Sequence, residues 1–286
     1  MRILIAILAG LVTALPARAA PVPTAVPAHR FFETSDHVRL HYIEAGHGRP
    51  IVLVPGWTMP AWIWQRQIDD LARSYRVIAL DPRGQGDSAI PAGGYEPHRR
   101  GADIAELLAL LGPEKPLIVA WSLGVLDTLA HIHDAGDTAI AGLVLVDNSI
   151  GEDPPPVAHP ARPGPKPPRE VAMRNFVTSM FARRQPQSWL DRLTSATLRT
   201  PAPAAAALLA YPVPRTFWKE AVYATAKPVL YIVRPKFEGQ AANLAAHHPS
   251  AETEVVQNLG HALFVDDAPR FNTTLRGFIA RRIWPQ

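Results

Sequence analysis

The sequence predicts an α/β protein: a mostly parallel central β-sheet flanked by helices, interrupted once by a helical lid. Three observations predict it. Short continuous apolar runs recur along the chain, amphipathic helical patterns separate them, and the rhythm breaks between residues 151 and 226 before resuming at Pro228. Strands covered on both faces read as unbroken apolar runs, and their alternation with helices implies right-handed crossovers in a largely parallel sheet.

Taken in chain order, residues 1–19 stand outside that fold. Arg2 supplies a positive start, "ILIAILAGLVTAL" is a thirteen-residue apolar run, and "ARA" at 17–19 is a small-x-small cleavage site. This is the pattern of a secretory leader, too short to span a bilayer. The expectation is cleavage after Ala19, a periplasmic or secreted mature chain, and no stable membrane anchor. Two of the 29 basic residues, Arg2 and Arg18, belong to that leader, so its removal lowers the formal charge from +4 to +2. No dense basic cluster remains, which argues against a nucleic-acid partner. The chain has no cysteine, so it builds neither disulfides nor thiolate metal clusters, and it lacks the cysteine of a lipid-anchored exported protein.

Residues 37–46, "HVRLHYIEAG", alternate in the manner of an edge strand and lead into a Gly-rich turn. "IVLV" (51–54), "RVIAL" (76–80), "PLIVA" (116–120), "AGLVLV" (141–146) and "PVLYIV" (228–233) are the buried strands. Helical patterns occupy 61–74, 98–112 and 124–135. After the strand at 141–146 comes "PPPVAHPARPGPKPP" (154–168), with eight prolines in fifteen residues, donor-poor and unsuited to helix or central strand. Helical patterns then follow at 169–184, 187–200 and 216–225. The expected organisation is a core in two parts, 20–150 and 227–286, with the Pro-rich segment and helical lid at 151–226.

Four local features carry chemistry. "AWSLG" (120–124) lies between an apolar strand and a helix, which singles out Ser122 as a nucleophile on a sharp turn. "VLVPGWTMPAWIW" (52–64) follows the first buried strand, and Gly56 permits a tight backbone turn there. "ALDPRGQGDS" (79–88) closes another strand, and "NLGHALFVDDAPRF" (258–271) presents His261 after a glycine. Trp62 and Trp64 read as core packing, and Asp81 and Arg83 as residues that hold a loop beneath the site.

Together these stretches resemble the α/β-hydrolase superfamily, over nearly all of residues 30–283 apart from the lid. "AWSLG" resembles its G-x-S-x-G nucleophile elbow, with Ala120 in place of the first glycine. "VPGW" resembles its His-Gly-x loop, with Pro55 in place of the histidine. The resemblance implies Ser122 as nucleophile, His261 as base, and the backbone N–H groups of Trp57 and Leu123 as an oxyanion hole. The acid position is open between two carboxylates. The usual place, in the loop after "PVLYIV", reads "RPKFEG" (234–239), with Phe237 where the carboxylate belongs and Glu238 one residue late. Some members carry the acid one strand earlier, where Asp147 ends "GLVLVD"; Asp147 is favoured and Glu238 is the alternative acid.

A hydroxyl nucleophile excludes the dehalogenase and epoxide-hydrolase branches, which the family runs with a carboxylate at this position. The implied activity is that of a carboxylesterase-like serine hydrolase: cleavage of a small-molecule ester, or a lactone, with a hydrophobic acyl or aryl group, without metal or organic cofactor. The aromatic and Met residues of the lid, among them Phe217 and Trp218, offer the apolar surface. Alternatives on the same serine site are a C–C bond hydrolase, a perhydrolase and a ligand receptor. Oligomeric state is not legible.

Overall fold

The computed structural model describes residues 27–157, 165 and 167–285. The expected leader at 1–19 and most of the proline tract at 154–168 lie outside the described residues.

The strands are β1 (Ala28–Glu33), β2 (Arg39–Ala45), β3 (Pro50–Val54), β4 (Arg76–Asp81), β5 (Leu117–Trp121), β6 (Gly142–Val146), β7 (Val229–Val233) and β8 (Ala251–Val255). Among the described residues they form one eight-stranded sheet in the order β1-β2-β4-β3-β5-β6-β7-β8. The pairs β1/β2 and β2/β4 are antiparallel, and the remaining pairs are parallel. Every residue of β3, β5, β6 and β7 is buried, as the unbroken apolar runs require.

Alternation along each strand divides the core into two layers. Val52, Val54, Ile118 and Ala120 face one way, toward α2 (Pro97–Leu111), α3 (Leu123–Ala135) and α7 (Thr216–Ala224). Ile51, Leu53, Val119 and Trp121 face the other, toward α1 (Gln65–Leu71) and α10 (Ala268–Phe278). A short 3-10 helix, Ala61–Trp64, precedes α1, and Trp64 stacks on Phe264 with ring centroids 3.8 Å apart. Its indole is therefore core, as the sequence suggests.

Two expectations are corrected. The stretch at 37–46 is not the edge of the sheet: β1 lies outside it, paired Ala28↔Glu44 through Glu33↔Arg39. Phe217 and Trp218 do not turn toward a pocket. They are buried in the core layer with α3, and Phe217 stacks on His133 at 3.9 Å. Between β6 and β7 the chain inserts α4 (Arg169–Ser179), α5 (Gln187–Arg199), α6 (Ala202–Ala207) and α7. Of these, α7 belongs to the body by its packing.

The β4–α2 loop explains the acidic and basic residues that close β4. Asp81 accepts hydrogen bonds from the Ala61 N–H at 2.5 Å and the Asp87 N–H at 2.9 Å, so one carboxylate ties the loop to the 3-10 helix. Arg83 is fully buried, held by both oxygens of Asp103 at 2.5 and 2.6 Å and by Asp36 at 3.0 and 3.1 Å. Removing one partner of a buried ion pair strands the other charge, at a cost of about 3–5 kcal/mol. Arg83→Ala is thus expected to lower the midpoint of thermal unfolding by about 10 °C, read by circular dichroism.

Candidate active site

The turn from β5 into α3 carries Ser122 at φ 54°, a left-handed conformation that a serine adopts only under constraint. The constraint is visible on both sides. The Ser122 N–H donates to the Val146 carbonyl at 3.0 Å, its own carbonyl accepts from the Val125 N–H at 3.0 Å, and Asn148 Nδ2 donates to that same carbonyl at 2.8 Å. Two residues on, Gly124 packs against the end of β3: a Cβ there would lie 2.6 Å from the carbonyl oxygens of both Val54 and Pro55. A glycine is needed because strand and helix touch, not because of its torsions. Ala120, by contrast, is wholly buried and its methyl is accommodated.

His261 sits in the loop between β8 and α9 (Leu263–Asp266). Its Nε2 lies 2.8 Å from Ser122 Oγ and its Nδ1 lies 2.7 Å from Asp147 Oδ2. Asp147 follows β6 with φ 48° and no exposure. Its second oxygen accepts the Arg234 N–H at 3.0 Å, and the Arg234 Nε donates to Oδ2 at 2.7 Å. The structure brings together Ser122, His261 and Asp147 in one hydrogen-bonded line. Glu238 is not part of it; it is exposed in the first turn of α8 (Glu238–His247), where its charge suits the helix dipole.

The electrostatics follow from burial and neighbours. Burial alone would raise the Asp147 carboxyl, but the hydrogen bond from His261 and the charge of Arg234 outweigh it and hold it below the usual range. Burial pushes the His261 imidazole below its ordinary value of 6.5; Asp147 opposes this, while Arg234 and Lys236 add to it. The balance favours the neutral imidazole. With Nδ1–H directed at Asp147, its Nε2 lone pair faces the serine hydroxyl.

Trp57 and Leu123 flank Ser122 through Gly56 and the first residue of α3. Gly56 leaves no room for a side chain, since a Cβ would fall 2.9 Å from that of Ser122. Among the described residues neither the Trp57 N–H nor the Leu123 N–H donates a hydrogen bond. The next residue, Thr58, has φ 58°, and its N–H donates to the Gln85 side chain, which fixes the loop. The insertion closes over this loop: the Trp57 indole donates to the Ala205 carbonyl at 2.7 Å, and Phe176 meets its ring edge-on at 5.1 Å.

Several positioning residues escape a reading by motif. Asp266, in α9, accepts from the Gly260 N–H at 2.7 Å and from the Ala182 N–H at 2.8 Å, clamping the histidine loop to the insertion. Trp121 Nε1 donates to the His261 carbonyl at 2.8 Å. Arg234 and Asn148 complete the set. Only the "VDD" of the histidine loop offered a signal, and it did not say which acid would turn inward.

A family model described as the alpha/beta hydrolase family matches residues 51–274, and the chain belongs to that family. A soluble epoxide hydrolase of Corynebacterium sp. (strain C12) is 31% identical over 131 residues, covering 39% of this chain and 46% of that protein. A non-heme haloperoxidase of Rhodococcus erythropolis is 35% identical over 126 residues, covering 44% of each. The aligned stretch spans less than half the length of these curated relatives. Among solved structures, a candidate aryl esterase from Burkholderia cenocepacia superposes with a TM-score of 0.79 at 26% identity, covering 88% of this chain and 98% of that one.

Proposed function

We propose that the protein is a serine hydrolase that cleaves a carboxylic ester or lactone bearing a hydrophobic acyl or aryl group, through an acyl-enzyme. The observation that carries this reading is the line Ser122 Oγ–His261 Nε2 at 2.8 Å and His261 Nδ1–Asp147 Oδ2 at 2.7 Å. Ser122 Oγ attacks the carbonyl carbon while its proton passes to Nε2. Asp147 stabilises the imidazolium that results, and the Trp57 and Leu123 N–H groups hold the oxyanion. His261 then returns the proton to the departing alcohol. Water, deprotonated by the same imidazole, releases the acid and restores the serine.

Apolar surface around the oxyanion loop, from Trp57, Phe176 and Ala205, supports a hydrophobic acyl or aryl group, as does the likeness to a candidate aryl esterase. On this reading α4–α6 act as the lid. The epoxide-hydrolase relative does not transfer its chemistry, because position 122 offers a hydroxyl and not a carboxylate. The haloperoxidase relative supports a second outcome of the same intermediate, in which hydrogen peroxide replaces water and a peracid leaves. Export to the periplasm or medium rests on the residue pattern of 1–19. No helix among the described residues is long and apolar enough to cross a membrane.

The test is turnover of a p-nitrophenyl ester series of increasing acyl length. Turnover rising from acetate toward medium chains is expected. Absence of turnover at every length would reject the esterase reading and favour a ligand-binding role for the same site.

The lowered imidazole gives a pH prediction with a definite sign. The base works only when neutral, so kcat/KM is expected to fall as pH drops through the pKa of His261, with the acidic inflection below 6.5. Arg234→Gln removes a cation beside the imidazole and a stabiliser of the Asp147 charge. Loss of the cation favours the imidazolium, so the inflection is expected to move to higher pH in a pH–rate profile.

A further inference from the structure

A second constellation lies at the other end of the sheet. The β1/β2 register sets Phe31 opposite His41 and His29 opposite Ile43, which puts His29 and His41 on one face as diagonal neighbours. His29 Nδ1 lies 2.9 Å from His41 Nε2. The β2/β4 register sets His41 opposite Asp81, and His41 Nδ1 lies 2.6 Å from Asp81 Oδ2. Asp87, in the loop that Asp81 organises, completes a group whose ligand atoms all lie within 4.8 Å of one another.

We propose that His29, His41 and Asp87 form a binding site for a borderline divalent transition metal, with Zn2+ as the reference ion. Asp81 fixes the inner ring: a carboxylate that accepts the Nδ1–H hydrogen bond of a buried imidazole leaves Nε2 as a lone pair available to a metal. Metal-ligating histidines are oriented in this way by an outer carboxylate. Two imidazole nitrogens and one carboxylate oxygen suit Zn2+, Cu2+ or Ni2+, and not an ion that needs thiolate. Bonds of about 2.0–2.1 Å at a tetrahedral angle place ligand atoms about 3.4 Å apart, so the two imidazoles need open by about half an ångström. His29 can make that shift, being exposed on an edge strand. Arg199 donates to Asp87 Oδ1 at 2.5 Å and leaves Oδ2 free among the described residues. Three protein ligands would leave a fourth position for water; His29 and Asp87 line a groove together with Trp62, Arg192 and Arg199.

Four strand spacings separate β1 from β5 in the sheet order, roughly 19 Å at about 4.8 Å each, so this ion takes no part in chemistry at Ser122. Its effect is to staple the edge strand β1 to β2 and to the β4–α2 loop. The proposal does not depend on the esterase reading.

The test uses the untagged full chain, stripped with chelator, and Zn2+ and Co2+ themselves as probes. Expected are one equivalent of Zn2+ by calorimetry, a tetrahedral Co2+ absorption band, and a rise in unfolding temperature of about 5 °C at a hundredfold excess of Zn2+ over its Kd. His29→Ala, an exposed change that leaves the fold intact, is expected to weaken binding at least tenfold. His98→Ala, beside the separate surface pair of His98 and His133 with Asp134, is expected to leave it unchanged. Absence of Zn2+ binding at 100-fold molar excess over protein, or binding that His29→Ala leaves intact, overturns the site.

Discussion

Ser122→Ala is expected to lower kcat/KM toward a p-nitrophenyl ester by on the order of 10⁴-fold, with the unfolding transition at or near its original temperature. The size of the loss follows from what the hydroxyl does. On the proposed mechanism it supplies the bond-forming oxygen, and its proton passes to His261 Nε2, which lies 2.8 Å away. On the same mechanism the two amide donors remain without it, so some rate above that of water is expected to persist. Stability should change little because the strained turn is held through the main chain of residue 122, its N–H donating to the Val146 carbonyl and its carbonyl accepting from the Asn148 side-chain amide, and alanine retains both bonds. Steady-state kinetics and thermal unfolding on the same preparation separate the two effects. A variant that loses activity only in proportion to lost folded protein would contradict the assignment.

Asp147→Asn is the second large effect, again on the order of 10⁴-fold in kcat, while Glu238→Gln is expected to stay within about twofold of the parent. The amide keeps the size of the carboxylate but presents no charge to the imidazolium, and its NH2 group invites the wrong imidazole tautomer. Arg234 sharpens the loss. Its guanidinium and N–H are both directed at the position 147 side chain, and with an amide there a half-buried cation loses its anion. Glu238 is exposed at the head of α8 and touches neither the histidine nor the serine, so its loss removes only a favourable charge at a helix start. If Glu238→Gln proved the more damaging of the two, the order of the acid in this chain would have to be reassigned.

The parts of the fold that were legible in the sequence are those where burial leaves no choice. β3, β5, β6 and β7 are covered on both faces, so their residues had to be apolar throughout, and each is readable as an unbroken run. The two edge strands were not. β1 reads "AHRFFE" and β8 reads "AETEV"; no residue of either strand is buried, and neither carries a continuous apolar signal. The same reason misassigned the edge to residues 37–46.

At the site, the elbow and the histidine loop were readable because each needs local features: a small residue at 124 where a Cβ would strike the β3 carbonyls, and a glycine at 260 wedged against the Met180 carbonyl. The choice between Asp147 and Glu238 was not local. It depends on the end of β6 lying beside the end of β7, where Arg234 can reach across, and no spacing within one stretch states that. The clamp by Asp266 and the pairing of His29 with His41 are long-range in the same sense.

Covalent labelling tests the central claim most directly. The protein is treated with a fluorophosphonate, digested, and the modified residue located by mass spectrometry, with Ser122→Ala and His261→Ala in parallel. Stoichiometric modification of Ser122, absent in Ser122→Ala and slowed by several orders of magnitude in His261→Ala, is the expected result. Modification at another serine, or labelling of Ser122 at the same rate without His261, would contradict the account.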